Sequence, residues 1–223
     1  MGKQAILILN GEIDMPFISQ YIQRFDMPKV YCIDGAFNQI CHSEDIIKNL
    51  KGILGDLDSV DLDEVNLHAP SVKLIKTYDQ NYTDFYKALE YFCNDYEKLF
   101  ILGFGGGEFD HALGNLHVAL QWYTKIKLEF VDQYSSYFIT NKSVSLSGIL
   151  GKMVSIVPLF KVTGLTYQGL KYPLENAILQ FSSRIGTRNH AVDDNVEISF
   201  TDGTIMIFVS HLIYQHYKEG INQ

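Results

Sequence analysis

Short apolar runs alternate with amphipathic segments through the first half of the chain. The apolar runs are rich in β-branched or aromatic residues and occupy residues 5–9, 30–33, 52–54, 72–75 and 99–102. Between them, apolar residues recur at helical spacing over residues 17–25, 85–92 and 113–120. Such runs suit strands that are covered on both faces, and strand–helix alternation predicts a doubly wound, mainly parallel sheet with helices.

The pattern changes from about Lys125 onward, where the segments become shorter and turn signals multiply. Residues 153–159 and 165–174 read as strands, and residues 196–200 and 204–209 flank Thr-Asp-Gly, which predicts a hairpin. This half of the chain is expected to be a small all-β sandwich. We therefore predict an α/β domain over residues 1–142 and a β-sandwich domain over residues 143–223.

Acidic side chains follow or lie near the ends of three predicted strands. Asp34 follows the second strand, Asp56 and Asp58 follow the third, and Asp84 opens a predicted helix. In extended backbone residues i and i+2 project to one side, so Asp56 and Asp58 are placed to hold one Mg²⁺. The same residues also fit plainer structures, because Gly and Asp favour turns and Asp84 suits the first turn of a helix capped by Thr83 or Asn81.

A glycine-dense turn lies between a predicted strand and a helix that begins near Phe109 or Asp110. Its glycines are Gly103, Gly105, Gly106 and Gly107. Glycine lets the backbone approach a phosphate and aim its N–H groups at it. The turn is neither a P-loop nor a dinucleotide fingerprint, because no Gly-Lys-Ser/Thr or Gly-x-Gly-x-x-Gly element is present. Asp110 and His111 fit two interpretations. They could bind a metal or act as a general base, or they could simply form the start of a helix.

Composition narrows the class of protein. The 223 residues are 47% hydrophobic and 20% charged, which fits a globular chain, and the net charge of −8 disfavours a nucleic-acid partner. Cys32, Cys41 and Cys93 have no CxxC spacing, which indicates thiols in a reducing compartment. No run approaches the ~20 apolar residues of a membrane span, so a cytoplasmic location without a membrane partner is expected.

The order of motifs is more specific than any single motif. DGAFN, GDLDS, QNYTD, GGGEFDHALGN, VSIVPL, TGLTYQGLKYPLEN and GTRNHA follow one another along nearly the whole chain. This series resembles the thiamine pyrophosphokinase family. The resemblance implies an α/β catalytic domain that binds ATP, a β-sandwich that binds thiamine, and a homodimer. It further implies an enzyme that transfers diphosphate from ATP to the hydroxyl of thiamine, giving thiamine diphosphate and AMP.

The resemblance also assigns site residues, position by position. The catalytic residues it implies are Asp34, Asp56, Asp58, Asp84 and Asp110, with Mg²⁺ held by Asp56, Asp58 and Asp84. The binding residues it implies are Asn38, Thr83, Gly103, Gly105, Gly106, Tyr172, Arg188 and Asn189. Either Asp84 or Asp110 is expected to accept the proton of the alcohol.

Three departures from the family pattern occur, and one of them is that Ala36-Phe37 replaces Gly-Ala after Asp34. Glu108 stands where the family has Arg, and Arg188 stands where it has Ser. Thiamine is a cation, so an Arg188 side chain that points into the site would repel it. Two alternatives to thiamine pyrophosphokinase activity therefore stay open. One is a pyrophosphokinase acting on another small hydroxymethyl heterocycle, and the other is a non-catalytic relative that binds nucleotide or thiamine diphosphate.

Overall fold

The structure is a computed structural model that describes residues 2–214. It consists of two compact units, Met1–Gln133 and Tyr134–Gln223. Each unit has its own buried core.

The first unit contains a parallel sheet with helices. Its strands are β1 (Gln4–Ile8), β2 (Val30–Ile33), β3 (Leu50–Gly55), β4 (Lys73–Lys76), β5 (Lys98–Leu102) and β6 (Lys127–Val131). Its helices are α1 (Met15–Ile22), α2 (Ala36–Ile40), α3 (Glu44–Ile47), α4 (Leu62–His68), α5 (Asp84–Phe92) and α6 (Phe109–Trp122). The strands pair in the order β6-β5-β1-β2-β3-β4, and every pairing is parallel. The prediction of a doubly wound α/β sheet is confirmed.

Local sequence explains where several of these helices begin. The Asp14 side chain accepts the Phe17 N–H at 2.8 Å ahead of α1, which carries a proline in its first turn. Asp61 caps α4 in the same way by accepting two backbone N–H groups. These side chains satisfy N–H groups that have no partner within the helix, and they place the loops that precede each helix.

The two edges of this sheet carry opposite charges. The loops at the carboxyl ends of the strands hold Asp34, Asp56 and Asp58, whereas lysines lie at the amino ends of neighbouring strands. Those lysines, together with three tyrosines and Asp95, line a cavity of about 330 Å³. The lysines are Lys3, Lys29, Lys51 and Lys73.

The second unit is all-β. Its strands are β7 (Ser135–Thr140), β8 (Val144–Ser147), β9 (Lys152–Pro158), β10 (Val162–Gln168), β11 (Leu174–Leu179), β12 (Gly186–His190), β13 (Asn195–Ser199) and β14 (Ile205–Ile213). Within it, one antiparallel set runs β12-β9-β14-β7 and a separate sheet runs β11-β10-β13-β8. Both sets contribute side chains to one buried cluster, including Ile156 and Ile207 from the first and Leu165 and Ile198 from the second. This is the predicted β-sandwich.

The division between the units lies earlier than the predicted one after residue 142. Strand β7 pairs antiparallel with β14 over Ser135–Thr140, which makes it part of the sandwich. The Asn141-Lys142 turn signal therefore marks a turn inside the second unit. Pairing between strands distant in sequence decided the boundary, and the local turn signal could not reveal it.

The predicted hairpin over residues 196–209 is wrong. β13 pairs with β10 and β8, whereas β14 pairs with β7 and β9, so the chain passes from one sheet to the other between them. Gly203 at this crossing has φ +121°, and a Cβ there would lie 2.6 Å from the Lys161 carbonyl oxygen. The glycine therefore serves a close approach to the start of β10 and not a two-strand turn.

Candidate active site

A cavity of about 510 Å³ lies beyond the carboxyl ends of the strands in the first unit. It is lined by the loops after β1, β2 and β3 and by the first turns of α5 and α6. Five predicted site carboxylates line it: Asp34, Asp56, Asp58, Asp84 and Asp110. The structure thus places together acidic residues that lie as far apart in sequence as positions 34 and 110. In open α/β sheets this edge is where ligands bind.

Three of these carboxylates converge most closely. Oxygen atoms of Asp34, Asp56 and Asp58 all lie within 4.8 Å of one another. The set implied by the resemblance was Asp56, Asp58 and Asp84, so the compact group has Asp34 in the place expected for Asp84. Oxygen-only ligands at this spacing suit a hard divalent cation such as Mg²⁺.

Asp34 is held in an unusual environment. Its φ is +46°, in the left-handed region, while its N–H donates to the Leu54 carbonyl at 2.8 Å. Its Oδ1 is buried and accepts no hydrogen bond from the described residues. Burial is the main cause that raises the pKa of Asp34, and the charges of Asp84 and Asp56 add to it, although the Gly35 N–H acts in the opposite direction. A cation beside Asp34 would offset the cost of burying this charge.

Asp56 and Asp58 are joined by a turn, not by extended backbone. Leu57 between them has φ +66°, and the Asp58 N–H donates to Asp56 Oδ1 at 3.4 Å. The turn and metal interpretations of GDLDS are therefore compatible, although the alternation argument for the carboxylate pair is wrong. The Gln80 side chain donates to Asp56 Oδ2 at 2.9 Å and is the main cause that lowers the pKa of Asp56.

Asp84 is paired with a lysine that sequence reasoning missed. Lys87 Nζ lies 2.7 Å from Asp84 Oδ1 and 3.2 Å from the Asp79 carbonyl oxygen, and Lys87 is only 7% exposed. The i, i+3 spacing on a predicted helix was the available signal. Thr83 caps this helix by accepting the Tyr86 N–H at 3.3 Å, as expected, and it also lines the cavity.

The glycine turn contributes less directly than predicted. Of its glycines, Gly106 lines the cavity, whereas Gly103 and Gly105 are not among its lining residues. Gly103 has φ +65°, and a Cβ there would lie 2.3 Å from the Leu9 carbonyl oxygen. The carbonyl oxygens of Gly103 and Gly105 accept N–H groups of Gly11 and Glu12, respectively. These two glycines pack the turn against the loop after β1.

The Asn38 side chain makes two hydrogen bonds to a neighbouring loop, and its predicted binding role stays a prediction. Its Nδ2 donates to the Ser59 carbonyl at 2.7 Å, and its Oδ1 accepts the Asp61 N–H at 2.9 Å. Both ends of the amide therefore hold the loop that follows Asp58, and Asn38 is not among the cavity-lining residues. Asn38 therefore helps to hold the loop that carries Asp58.

The start of α6 completes the cavity wall. Asp110 Oδ1 accepts the His111 N–H at 3.0 Å, and Asn115 donates to the Phe104 carbonyl at 2.9 Å. Glu108, the N-cap residue, makes no capping hydrogen bond, and its carboxylate lies 3.6 Å from His111 Nε2. Asp110 has no lysine or arginine within 4.0 Å among residues 2–214.

The predicted residues of the second unit lie around the β12 strand. Asn189 is buried, and its amide accepts the Tyr172 N–H at 3.1 Å and donates to the Tyr172 carbonyl at 2.8 Å. Tyr172 itself is 62% exposed. Arg188 is exposed, has φ +58°, and donates its N–H to Ser155 Oγ at 2.9 Å. Asn189 thus holds Tyr172 in place, which a binding assignment from sequence alone did not anticipate.

These features define an α/β protein whose acidic cavity lies beyond the strand ends of a parallel sheet, followed by a β-sandwich. Two family models match the chain. Residues 21–130 match "Thiamin pyrophosphokinase, catalytic domain", and residues 138–205 match "Thiamin pyrophosphokinase, vitamin B1 binding domain". The chain therefore belongs to the thiamine pyrophosphokinase family, as its motif order indicated.

Individual relatives agree with this family. The chain is 26% identical over 194 residues to thiamin pyrophosphokinase 1 of Caenorhabditis elegans, covering 77% of this chain and 75% of that protein. The crystal structure of thiamine pyrophosphokinase from Bacillus subtilis matches with a TM-score of 0.77 at 21% identity, covering 93% and 99% of the two chains. The yeast enzyme matches with a TM-score of 0.78 at 20% identity, covering 94% and 86%. These structural matches confirm the fold.

The helices of the first unit are short. Across residues 2–214, none has the length and apolar character that crossing a bilayer requires.

Proposed function

We propose that this protein is a thiamine pyrophosphokinase that transfers diphosphate from ATP to the hydroxyl of thiamine and releases AMP. The observation that carries the proposal is the gathering of Asp34, Asp56, Asp58, Asp84 and Asp110 around one cavity, within the unit that matches the family's catalytic domain. A cavity of about 510 Å³ is in the usual size range for a small-molecule site.

The residues present fit Mg²⁺. Asp34, Asp56 and Asp58 offer oxygen ligands only, and the buried Oδ1 of Asp34 accepts no hydrogen bond from the described residues. We propose that these three hold the ion, with Asp84 beside them. When bound, Mg²⁺ neutralises charge on the phosphate oxygens, which is the main electrostatic need of phosphoryl-type transfer.

We propose Asp110 as the group that accepts the proton of the attacking alcohol. Asp84 already contacts the Lys87 ammonium at 2.7 Å, whereas Asp110 has no such cation near it among residues 2–214. A general base must reach the proton that it accepts with an available oxygen, and no lysine among the described residues engages Asp110 in the way that Lys87 engages Asp84. Lys87 then acts as a positioning residue that holds Asp84 at the start of α5.

The acceptor side of the proposal rests on the second unit. Tyr172 offers an exposed aromatic face suited to a pyrimidine ring, and the buried Asn189 fixes its backbone. We further propose a homodimer and a cytoplasmic location, the latter supported by free Cys32, Cys41 and Cys93.

The test is an AMP-release assay with ATP, Mg²⁺ and a panel of acceptors that includes thiamine, its hydroxymethylpyrimidine fragment and a hydroxymethylpterin. AMP release that depends on thiamine supports the proposal. Release with another acceptor, or nucleotide binding without any turnover, contradicts it.

Asp56→Asn and Asp58→Asn are each expected to lower kcat at least ~100-fold, because a principal metal ligand contributes several kcal/mol of transition-state stabilisation. Asp63→Asn is the matched control, since Asp63 lies on α4 and is not among the cavity-lining residues. Turnover of either variant within a fewfold of the wild type would exclude the metal role.

A further inference from the structure

A second group of potential metal ligands lies in the first unit and is not part of the acidic cavity. Ligand atoms of Cys41, His42 and Glu64 all lie within 4.8 Å of one another. His68 extends the group, because its Nε2 lies 3.2 Å from Glu64 Oε2 and its ring centroid lies 4.8 Å from that of His42. None of the four is among the lining residues of the acidic cavity.

Two elements bring these side chains together. Cys41 is the C-cap residue of α2, and His42 follows it directly. Glu64 and His68 lie four residues apart on α4, so they project from one face of that helix. Two adjacent residues after one helix thus face an i, i+4 pair on another.

The central carboxylate oxygen lacks a hydrogen-bond partner. Glu64 Oε2 is buried and accepts no hydrogen bond from the described residues, although His68 Nε2 and His42 Nδ1 lie 3.2 and 3.9 Å away. A buried carboxylate oxygen is costly unless nearby cationic groups offset its charge, and here its near neighbours are two imidazoles and a thiol. A metal ion bound by the surrounding sulfur and nitrogen atoms would supply that charge.

We propose that Cys41, His42, Glu64 and His68 form a binding site for a borderline divalent transition-metal ion, with Zn²⁺ as the expected occupant. Sulfur and imidazole ligands select such ions over Mg²⁺, and one thiolate with one carboxylate balances two positive charges. Four protein ligands leave no open position, so the site is structural.

The chemistry of Cys41 agrees with this assignment. Cys41 is a buried free thiol. In that form it donates to the Asn38 carbonyl at 3.4 Å. A bound metal displaces the proton and stabilises the thiolate.

The site would brace the loop that carries Asp56 and Asp58. It links the end of α2 to α4, and the Asn38 amide connects the same region to Ser59 and Asp61. Metal binding is therefore expected to stabilise the folded chain by an amount that rises with the logarithm of the free metal concentration once this exceeds Kd.

Cobalt absorption distinguishes this site from the acidic cavity. The reduced full chain is stripped with a chelator and titrated with Co²⁺, a spectroscopic substitute for Zn²⁺. We expect a thiolate-to-cobalt charge-transfer band that saturates at one ion per chain and is displaced by Zn²⁺. Co²⁺ held by Asp34, Asp56 and Asp58 has oxygen ligands and gives no thiolate band. Absence of the band overturns the proposal.

Variants with matched controls assign the ligands. Cys41→Ser should abolish the band, whereas Cys93→Ser, at a partly buried cysteine outside the group, should keep it. His42 is 74% exposed, so His42→Gln should leave the fold intact. It should weaken Zn²⁺ binding at least ~tenfold, since even residues that only support a ligand cost that much. His117→Gln is its exposed control. A band retained in Cys41→Ser, or unchanged Zn²⁺ affinity in His42→Gln, contradicts the assignment.

Discussion

At the scale of single residues, Asp34 combines two unfavourable features. Its backbone lies in the left-handed region at φ +46°, and its Oδ1 is buried without a hydrogen-bond donor among the described residues. Residues strained in this way persist where the surrounding structure holds them, and they concentrate at functional sites. Asn adopts the left-handed region as readily as Asp does and carries no charge.

Asp34→Asn is therefore expected to lower turnover at least ~100-fold while keeping or increasing stability in Mg²⁺-free buffer. The folded pKa of Asp34 is raised, so its protonated form favours folding below its unfolded pKa of 3.8, and that contribution is lost as pH rises through the folded pKa. The stability gain of the variant should accordingly be present near neutral pH and vanish in acid. Urea unfolding at several pH values measures it, and a variant clearly less stable at neutral pH would contradict the burial argument.

The sequence revealed the residues that carry the chemistry of the site better than the residues that hold them in position. Four aspartates that follow or lie near predicted strands could be identified from sequence, because the carboxyl ends of parallel strands share one edge, and Asp110 came from the motif after the glycine turn. The roles of Asn38 and Asn189 could not, since each amide bonds to backbone atoms distant in sequence. Lys87 could have been identified from the sequence, because it lies three residues after Asp84 on a predicted helix.

At the scale of elements, local pattern located most of the first unit. The run at residues 30–33 coincides with β2, and the helical spacing at residues 85–92 matches α5 (Asp84–Phe92). Pattern failed in the second unit where pairing is not local. The Thr-Asp-Gly segment reads as a hairpin, yet its flanking strands pair with different partners in different sheets. Core packing between the sheets outweighed turn propensity there.

The glycine turn between β5 and α6 allows a test of whether Gly103 is needed for packing of the fold. Gly103→Ala should lower the free energy of unfolding by at least ~1 kcal/mol, because it has positive φ and no room for a Cβ beside the Leu9 carbonyl. Gly105→Ala is the matched control, because a Cβ there meets nothing within 4 Å. Denaturant unfolding compares the two. Equal stability of both variants would contradict the packing role of Gly103.

At the scale of the whole molecule, the second unit exposes large apolar side chains around β11 and β12. These include Phe181 at 73%, Tyr172 at 62% and Ile178 at 55% exposure. Apolar groups of this size on a soluble surface commonly mark an interface. They support the proposed homodimer from within this unit.

Light scattering is expected to give twice the chain mass of 25.4 kDa. Phe181→Glu should shift the equilibrium toward monomer. The dimer would lose the buried apolar area of Phe181, and it would have to remove water from the Glu carboxylate. A wild-type chain that is monomeric at all concentrations and still active would rule out a required dimer.

The first unit carries aspartates at the carboxyl ends of its parallel strands and lysines at the amino ends. Its negative end is the mouth of the acidic cavity, and its positive end is the lysine-lined edge that holds Lys3, Lys29, Lys51 and Lys73. Under the proposed function, we expect the aspartates at the mouth to attract cations such as Mg²⁺ and thiamine and to repel ATP that carries no metal. Encounter with the cationic acceptor should therefore slow as salt rises, because the Debye length is only about 8 Å at 0.15 M ionic strength. Under the proposed function, we expect polyphosphate to enter with its charge already neutralised by metal, so that the free metal concentration affects entry as well as chemistry.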